Sequence, residues 1–134
     1  MTVPKARLLA AARRAMHHAY APYSEFQVGA AILLENGQVF SGCNVENASY
    51  GLTVCAERNA IFTAVGASRG KVRVRAVAVV NSKNVPCSPC GACRQVIQEF
   101  STPKTTVLYE WKGVIKELTM AELLPDSFTR GALR

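Results

Sequence analysis

No apolar run in this chain approaches the roughly 20 residues that a membrane-crossing helix requires. Low-complexity tracts, linkers and internal repeats are also missing, which excludes fibrous and solenoid architectures. Acids are few: nine against sixteen Lys and Arg give a formal net charge of +7, and none precedes Glu25. An acid-free, basic N-terminus is one mark of a transit peptide. Here Leu8, Leu9, Ala12 and Met16 form one helical stripe, and folded-domain pattern follows with no small-residue cleavage site, so the segment reads as a first helix. The basic residues are scattered: Arg13 and Arg14, then Lys71, Arg73 and Arg75, then Lys104, Lys112 and Lys116. Without a dense basic run or interleaved aromatics they mark a basic protein rather than a nucleic-acid surface. Histidine is limited to His17 and His18, which read as a solvated helix face. The five cysteines are an odd number with no secretion signal before them. That argues against a disulfide framework and for free thiols in a reducing compartment, the cytoplasm by default.

What is present is ordinary globular material. With 134 residues and 49% apolar content, the expectation is one domain over residues 1–134 with a substantial core. The first helix is expected to end near Tyr20, ahead of Pro22. "FQVGAAILLENGQVFSGCNV" gives two extended runs around Asn36-Gly37, a two-residue hairpin signal. "CAERNAIFTAVGA" is helical, with Gly66 near its end, and "VRVRAVAVV" reads as a buried central strand. A short helix at "GACRQVIQEF", strands at "TTVLYEW" and "GVIKELT", and a helical piece at "MAELLP" complete the order. This alternation predicts an α/β layered domain, a mixed sheet of about five strands flanked by helices.

Thiols carry the chemistry. In "VPCSPCGACRQ", Cys87, Cys90 and Cys93 recur at every third position. Cys90 and Cys93 open a helix and share one face. Cys87 stands between Pro86 and Pro89 in extended chain, where helical spacing cannot align it with them. Cys55 opens another helix. The positive end of a helix dipole favours thiolate, the form that binds soft metals. A structural zinc site would add two of Cys43, Cys55 and Cys87 to Cys90 and Cys93; a catalytic one would take three protein ligands and leave a position for water. Glu57, two residues past Cys55, favours the catalytic reading, because a carboxylate there can reach a metal-bound water without ligating the metal.

"CAE" followed by "PCGAC" resembles the zinc-dependent deaminase signature. "YAPYSEFQVGAA", "GCNVENASYGLT", "CAERNAI", "SPCGACRQV" and "ELLPDSF" are similar to the small homotetrameric cytidine deaminases of pyrimidine salvage, over nearly the whole chain. The resemblance implies that Cys55, Cys90 and Cys93 hold one Zn²⁺ per chain and that Glu57 shuttles protons. It implies that Asn44 and Glu46 hold the ribose hydroxyls, Phe26 lies beside the nucleoside, and the Ala56 backbone bonds the base carbonyl. Tyr50 and Phe128 would reach a neighbouring subunit's site. Arg58 is expected to temper the thiolates' charge; Cys43 and Cys87 read as bystanders. The implied activity is hydrolytic deamination of cytidine and 2′-deoxycytidine, on free nucleosides rather than nucleic acid or membrane partners. The rivals are a polynucleotide-editing deaminase of the same fold and a non-enzymatic zinc module.

Overall fold

The residues from Val74 to Asn81 are apolar at nearly every position, and such a strand needs cover on both faces. A computed structural model, which describes residues 3–133, gives it that cover. In chain order the elements are α1 (Lys5–Met16), β1 (Val28–Leu34), β2 (Val39–Cys43), α2 (Ala56–Ala67), β3 (Val74–Asn81), α3 (Gly91–Glu99), β4 (Ser101–Trp111), β5 (Val114–Thr119) and α4 (Met120–Leu123). The five strands form one mixed sheet, ordered β2-β1-β3-β4-β5, with β3 central as expected. Only β3 and β4 run parallel, and α3 lies in the connection between them.

Strand alternation divides the core in two. Ala31, Leu33, Ala76, Ala78, Val80 and Leu108 face Leu8, Leu9, Ala11 and Ala12 of α1. Ala30, Ile32, Val77, Val79 and Val107 face Ala60, Ile61 and Ala64 of α2, Ile97 of α3 and Met120 of α4. Both α1 and α2 come very close to the sheet at a glycine. A Cβ on Gly29 would lie 1.9 Å from the Ala12 carbonyl oxygen, and one on Gly42 would lie 2.5 Å from the Ala60 nitrogen.

Two expected details differ. The first helix stops at Met16 rather than near Tyr20, because Tyr20 is drawn into bridging chain. Its N–H donates to the Asn44 carbonyl at 3.1 Å, and its own carbonyl accepts from the Glu46 amide at 2.8 Å. The Asn36-Gly37 turn is a three-residue loop, not a two-residue one. The Leu34 amide donates to the Gln38 carbonyl and the Gly37 amide to Leu34, with φ positive at Gly37 (91°) but not at Asn36. A two-residue type I′ turn needs positive φ at both central positions. Lys112 (51°) and Gly113 (82°) meet that condition in the β4–β5 hairpin.

Val28 opens β1 opposite Asn81 at the end of β3, and Gly29 pairs with Cys43 at the end of β2. From that rim the chain runs through residues 44–55 into α2 and through residues 82–90 into α3. Both helix N-termini therefore converge at one end of the sheet, where α/β folds collect ligands. Among the described residues, no helix is long and apolar enough to cross a membrane.

Candidate metal centre and adjoining cleft

Cys55 and Cys90 are the N-caps of α2 and α3, both with extended backbone (φ/ψ −70°/156° and −66°/168°), and neither side chain caps its own helix. Their sulfurs point at each other instead, 3.9 Å apart. Cys93, fully buried on the first turn of α3, completes a trio whose sulfurs all lie within 4.8 Å of one another. Among the described His, Cys, Asp and Glu side chains, these three form the group compatible with a metal ion. Cys87 and Cys43 stand outside it.

The charges around the trio are coupled. The Cys93 thiol donates to Cys55 and, together with the Arg58 guanidinium, holds Cys55 down to about 5. The same hydrogen bond pushes the Cys93 thiol up. Arg58 Nη2 donates to the Cys55 sulfur at 3.5 Å, and that thiolate raises the Arg58 pKa in turn. Arg58 Nε is buried with no hydrogen-bond partner. Glu57 is only 5% exposed, and burial is the main cause that pushes its carboxyl up to about 7, with the neighbouring Cys55 charge adding to it. A buried carboxyl that exchanges its proton near neutrality beside a thiolate cluster can both accept and return one.

Cys55, Cys90 and Glu57 line a cleft of about 320 Å³, with Cys93 buried behind them. Of the residues singled out from sequence, Phe26, Asn44, Glu46, Cys55, Ala56, Glu57 and Cys90 line it. Asn44 is buried, and its side chain ties the rim together: Oδ1 accepts from the Val28 amide and Nδ2 donates to the Phe26 carbonyl, both at 2.8 Å. Glu46 Oε1 accepts from the amides of Tyr23 (2.9 Å) and Ser24 (3.1 Å), while Oε2 accepts from the Ser24 hydroxyl. These donors, the hydroxyl foremost, hold the Glu46 carboxyl below its ordinary range. Ala56 is the first residue of α2, so its N–H has no acceptor within the helix.

Two expected residues stand apart. Tyr50, 76% exposed, borders a second cleft at the mouth with Tyr23, Ser24, Glu46 and Thr53. Phe128, 60% exposed, lies beside Arg73, Gln98 and Glu99 rather than in the main cleft, with its carbonyl accepting from Gln95 Nε2 at 2.9 Å. Sequence reasoning missed Ser24, Val28, Thr53 and Ser88, which line the main cleft, and passed over Cys87 as a bystander although it lines the cleft too. It also missed Arg94, which clamps the loop before Cys90. Its Nε donates to the Pro89 carbonyl (2.7 Å), Nη2 to Ser88 Oγ (3.0 Å) and Nη1 to the Leu123 carbonyl (2.7 Å). "YAPYS" and "SPCGACRQ" contained Ser24 and Arg94 in plain view; their partners are set by the fold.

Residues 3–109 match the family model described as "Cytidine and deoxycytidylate deaminase zinc-binding region". The chain is 50% identical over 125 residues to a cytidine deaminase of Sporosarcina psychrophila, covering 92% of this chain and 90% of the relative. It is 52% identical over 123 residues to that of Halalkalibacterium halodurans, covering 91% and 92%. A crystal structure of cytidine deaminase from Burkholderia pseudomallei superposes with a TM-score of 0.83 at 46% identity, covering 95% of this chain and 100% of that one.

Proposed function

The chain belongs to the cytidine deaminase family and is a hydrolytic cytidine deaminase, and we propose that Cys55, Cys90 and Cys93 hold one zinc ion per chain while Glu57 moves the protons. The single observation that carries this reading is the three-sulfur group with buried Glu57 on the same helix turn as Cys55. Two sulfurs on one tetrahedral zinc, each at about 2.3 Å, stand roughly 3.8 Å apart. The 3.9 Å between Cys55 and Cys90 fits that geometry, and three thiols with no fourth His, Cys, Asp or Glu donor among the described residues suit a catalytic rather than a structural site. Bound there, zinc supplies Lewis acidity, lowering the pKa of a water towards ~7.

The overall reaction forms a C4–O bond, breaks the C4–N bond, and converts cytidine and water to uridine and ammonia. Glu57 takes one proton from the water and gives it to ring N3, then takes the second from the new C4 hydroxyl and delivers it to the departing amine, so that both water protons are accounted for. Arg58 and the two helix N-termini draw charge from the thiolates, which would otherwise weaken the site's acidity. The Ala56 amide donates to the base carbonyl, and the Phe26 ring forms a wall for the base.

Lone-pair counting bears on the sugar. An ionised carboxylate offers about four acceptor positions. Tyr23 and Ser24 occupy three on Glu46, leaving one. Asn44 Nδ2 has one hydrogen beyond that given to Phe26. One acceptor and one donor satisfy one hydroxyl, so the 3′-OH is held and the 2′-OH is not required. The substrates are then cytidine and 2′-deoxycytidine, in a pyrimidine-salvage role in the cytoplasm. The chain acts as one domain in a homotetramer, with exposed Tyr50 and Phe128 serving neighbouring sites.

Glu57→Gln tests the reading. It preserves shape and leaves the sulfurs intact, so zinc stays near one equivalent per chain while kcat falls by at least the ~10²–10⁴ of a lost general acid–base. Near-normal turnover in that variant would exclude Glu57 as the proton carrier.

A further inference from the structure

Ser24 belongs to no zinc-site motif, yet it lies where the main cleft and the mouth cleft meet, lining both with Glu46. Its hydroxyl makes two bonds of opposite sense. It donates to Glu46 Oε2, and it accepts from the Phe26 amide at 3.0 Å. Asn44 holds the Phe26 carbonyl. Three of the residues assigned to the nucleoside are thus joined in one network, and Ser24 is the link between the Glu46 carboxylate and the Phe26 backbone. The next residue, Glu25, has a positive φ of 56° and donates its amide to the Ala21 carbonyl at 3.0 Å. Such a conformation is uncommon for a non-glycine residue and persists only where its surroundings fix it.

We propose that Ser24 is a positioning residue for sugar recognition, its hydroxyl fixing which lone pair of Glu46 faces the cleft. The proposal rests on Glu46 receiving the sugar 3′-hydroxyl. Two amides on Oε1 tether the carboxylate but leave it free to swing about that oxygen. The Ser24 hydroxyl on Oε2 removes that freedom, so the remaining lone pair is already aimed before substrate arrives. Preorganisation of this kind is felt as binding, alike in ground and transition states, and therefore in KM rather than kcat.

Steady-state kinetics of wild type, Ser24→Ala, Ser24→Thr, Glu46→Ala and the Ser24→Ala/Glu46→Ala double variant, each on cytidine and on 3′-deoxycytidine, tests this. Ser24→Ala is expected to raise KM for cytidine roughly tenfold, the scale of a hydrogen bond to a charged group, with kcat within about twofold. Ser24→Thr keeps the hydroxyl and restores the wild-type KM. On 3′-deoxycytidine, which offers Glu46 no donor, wild type and Ser24→Ala should have equal KM, and the double variant should be no worse on cytidine than Glu46→Ala alone. A Ser24→Ala penalty equal on both substrates, or one confined to kcat, overturns the positioning role while leaving the Glu46 reading intact. If Glu46→Ala does not narrow the gap between cytidine and 3′-deoxycytidine, the sugar reading itself fails and the Ser24 proposal falls with it.

Discussion

Cys87 and Cys90 are three residues apart and have different surroundings. Cys90 caps α3 with its sulfur 3.9 Å from that of Cys55. Cys87 lies in extended chain, its amide donating to the Glu110 carbonyl at 3.2 Å, and burial pushes its thiol up, away from the ligating form. Cys90→Ser should therefore lose zinc or bind it far more weakly, while Cys87→Ser should retain about one equivalent per chain. Metal analysis of the two purified variants decides it; zinc leaving with Cys87 would favour a closed four-cysteine site. Helical spacing and helix starts marked Cys55, Cys90 and Cys93 in the sequence as thiols at helix N-termini, but choosing that trio over Cys43 and Cys87, with Glu57 as proton carrier, rested on the resemblance to the cytidine deaminases. Ser24 was not legible there, since its partner Glu46 is 22 residues away and only the fold of residues 20–46 brings them together. Nor was the wall position of Cys87, whose spacing to Cys90 pointed nowhere.

Among the elements, α2 bears most of the site, carrying Cys55, Ala56, Glu57 and Arg58 at its start. Its seat on the sheet depends on Gly42, where an added Cβ would come within 2.5 Å of the Ala60 nitrogen and 2.9 Å of the Ala56 carbonyl oxygen. Backbone cannot give way as a flexible side chain does. Gly42→Ala should destabilise by about 1–3 kcal/mol, the usual cost of overpacking, and should lower turnover by shifting the helix that holds Glu57. Gly66, on the same helix with nothing within 4 Å of its added Cβ, is the control: Gly66→Ala should stabilise by roughly 0.5–1 kcal/mol. Thermal melts and cytidine turnover of both variants check the pair. Equal melting temperatures would show that α2 adjusts freely. Element order, the central strand and the end of α2 were readable from the sequence, but the end of α1 was not. Gly66, expected near the end of α2, is its penultimate residue; the left-handed residue after the helix is Arg69 (φ 53°), with the Gly70 amide closing back on the Val65 carbonyl at 3.0 Å. That closure is a Schellman cap, and it does not require glycine at its turning residue.

For the molecule as a whole, Tyr20, Tyr50, Leu52, Phe62 and Phe128 are each more than half exposed, a large apolar display for a chain of this size. An assembly that covers them is expected to sediment as a tetramer, with Phe128→Ala lowering kcat/KM although Phe128 does not line the main cleft of its own chain. A fully active monomer would leave Phe128 without that role. The net charge of +7 raises the competing prospect of a polynucleotide substrate. The site argues otherwise. In the proposed reading Glu46, held by three donors, offers its remaining acceptor position to a free hydroxyl of the sugar. A 3′-phosphate removes that donor and sets anionic oxygens against the carboxylate, and like charges so placed suppress a wrong partner strongly. The most direct measurement is the rate of uridine formation by wild-type protein on cytidine, 3′-CMP and a cytidine-containing single-stranded oligonucleotide under one set of conditions. Brisk turnover of cytidine is expected, with 3′-CMP and the oligonucleotide slower by at least on the order of 10²-fold; an oligonucleotide processed as fast as cytidine would contradict the assignment to free nucleosides.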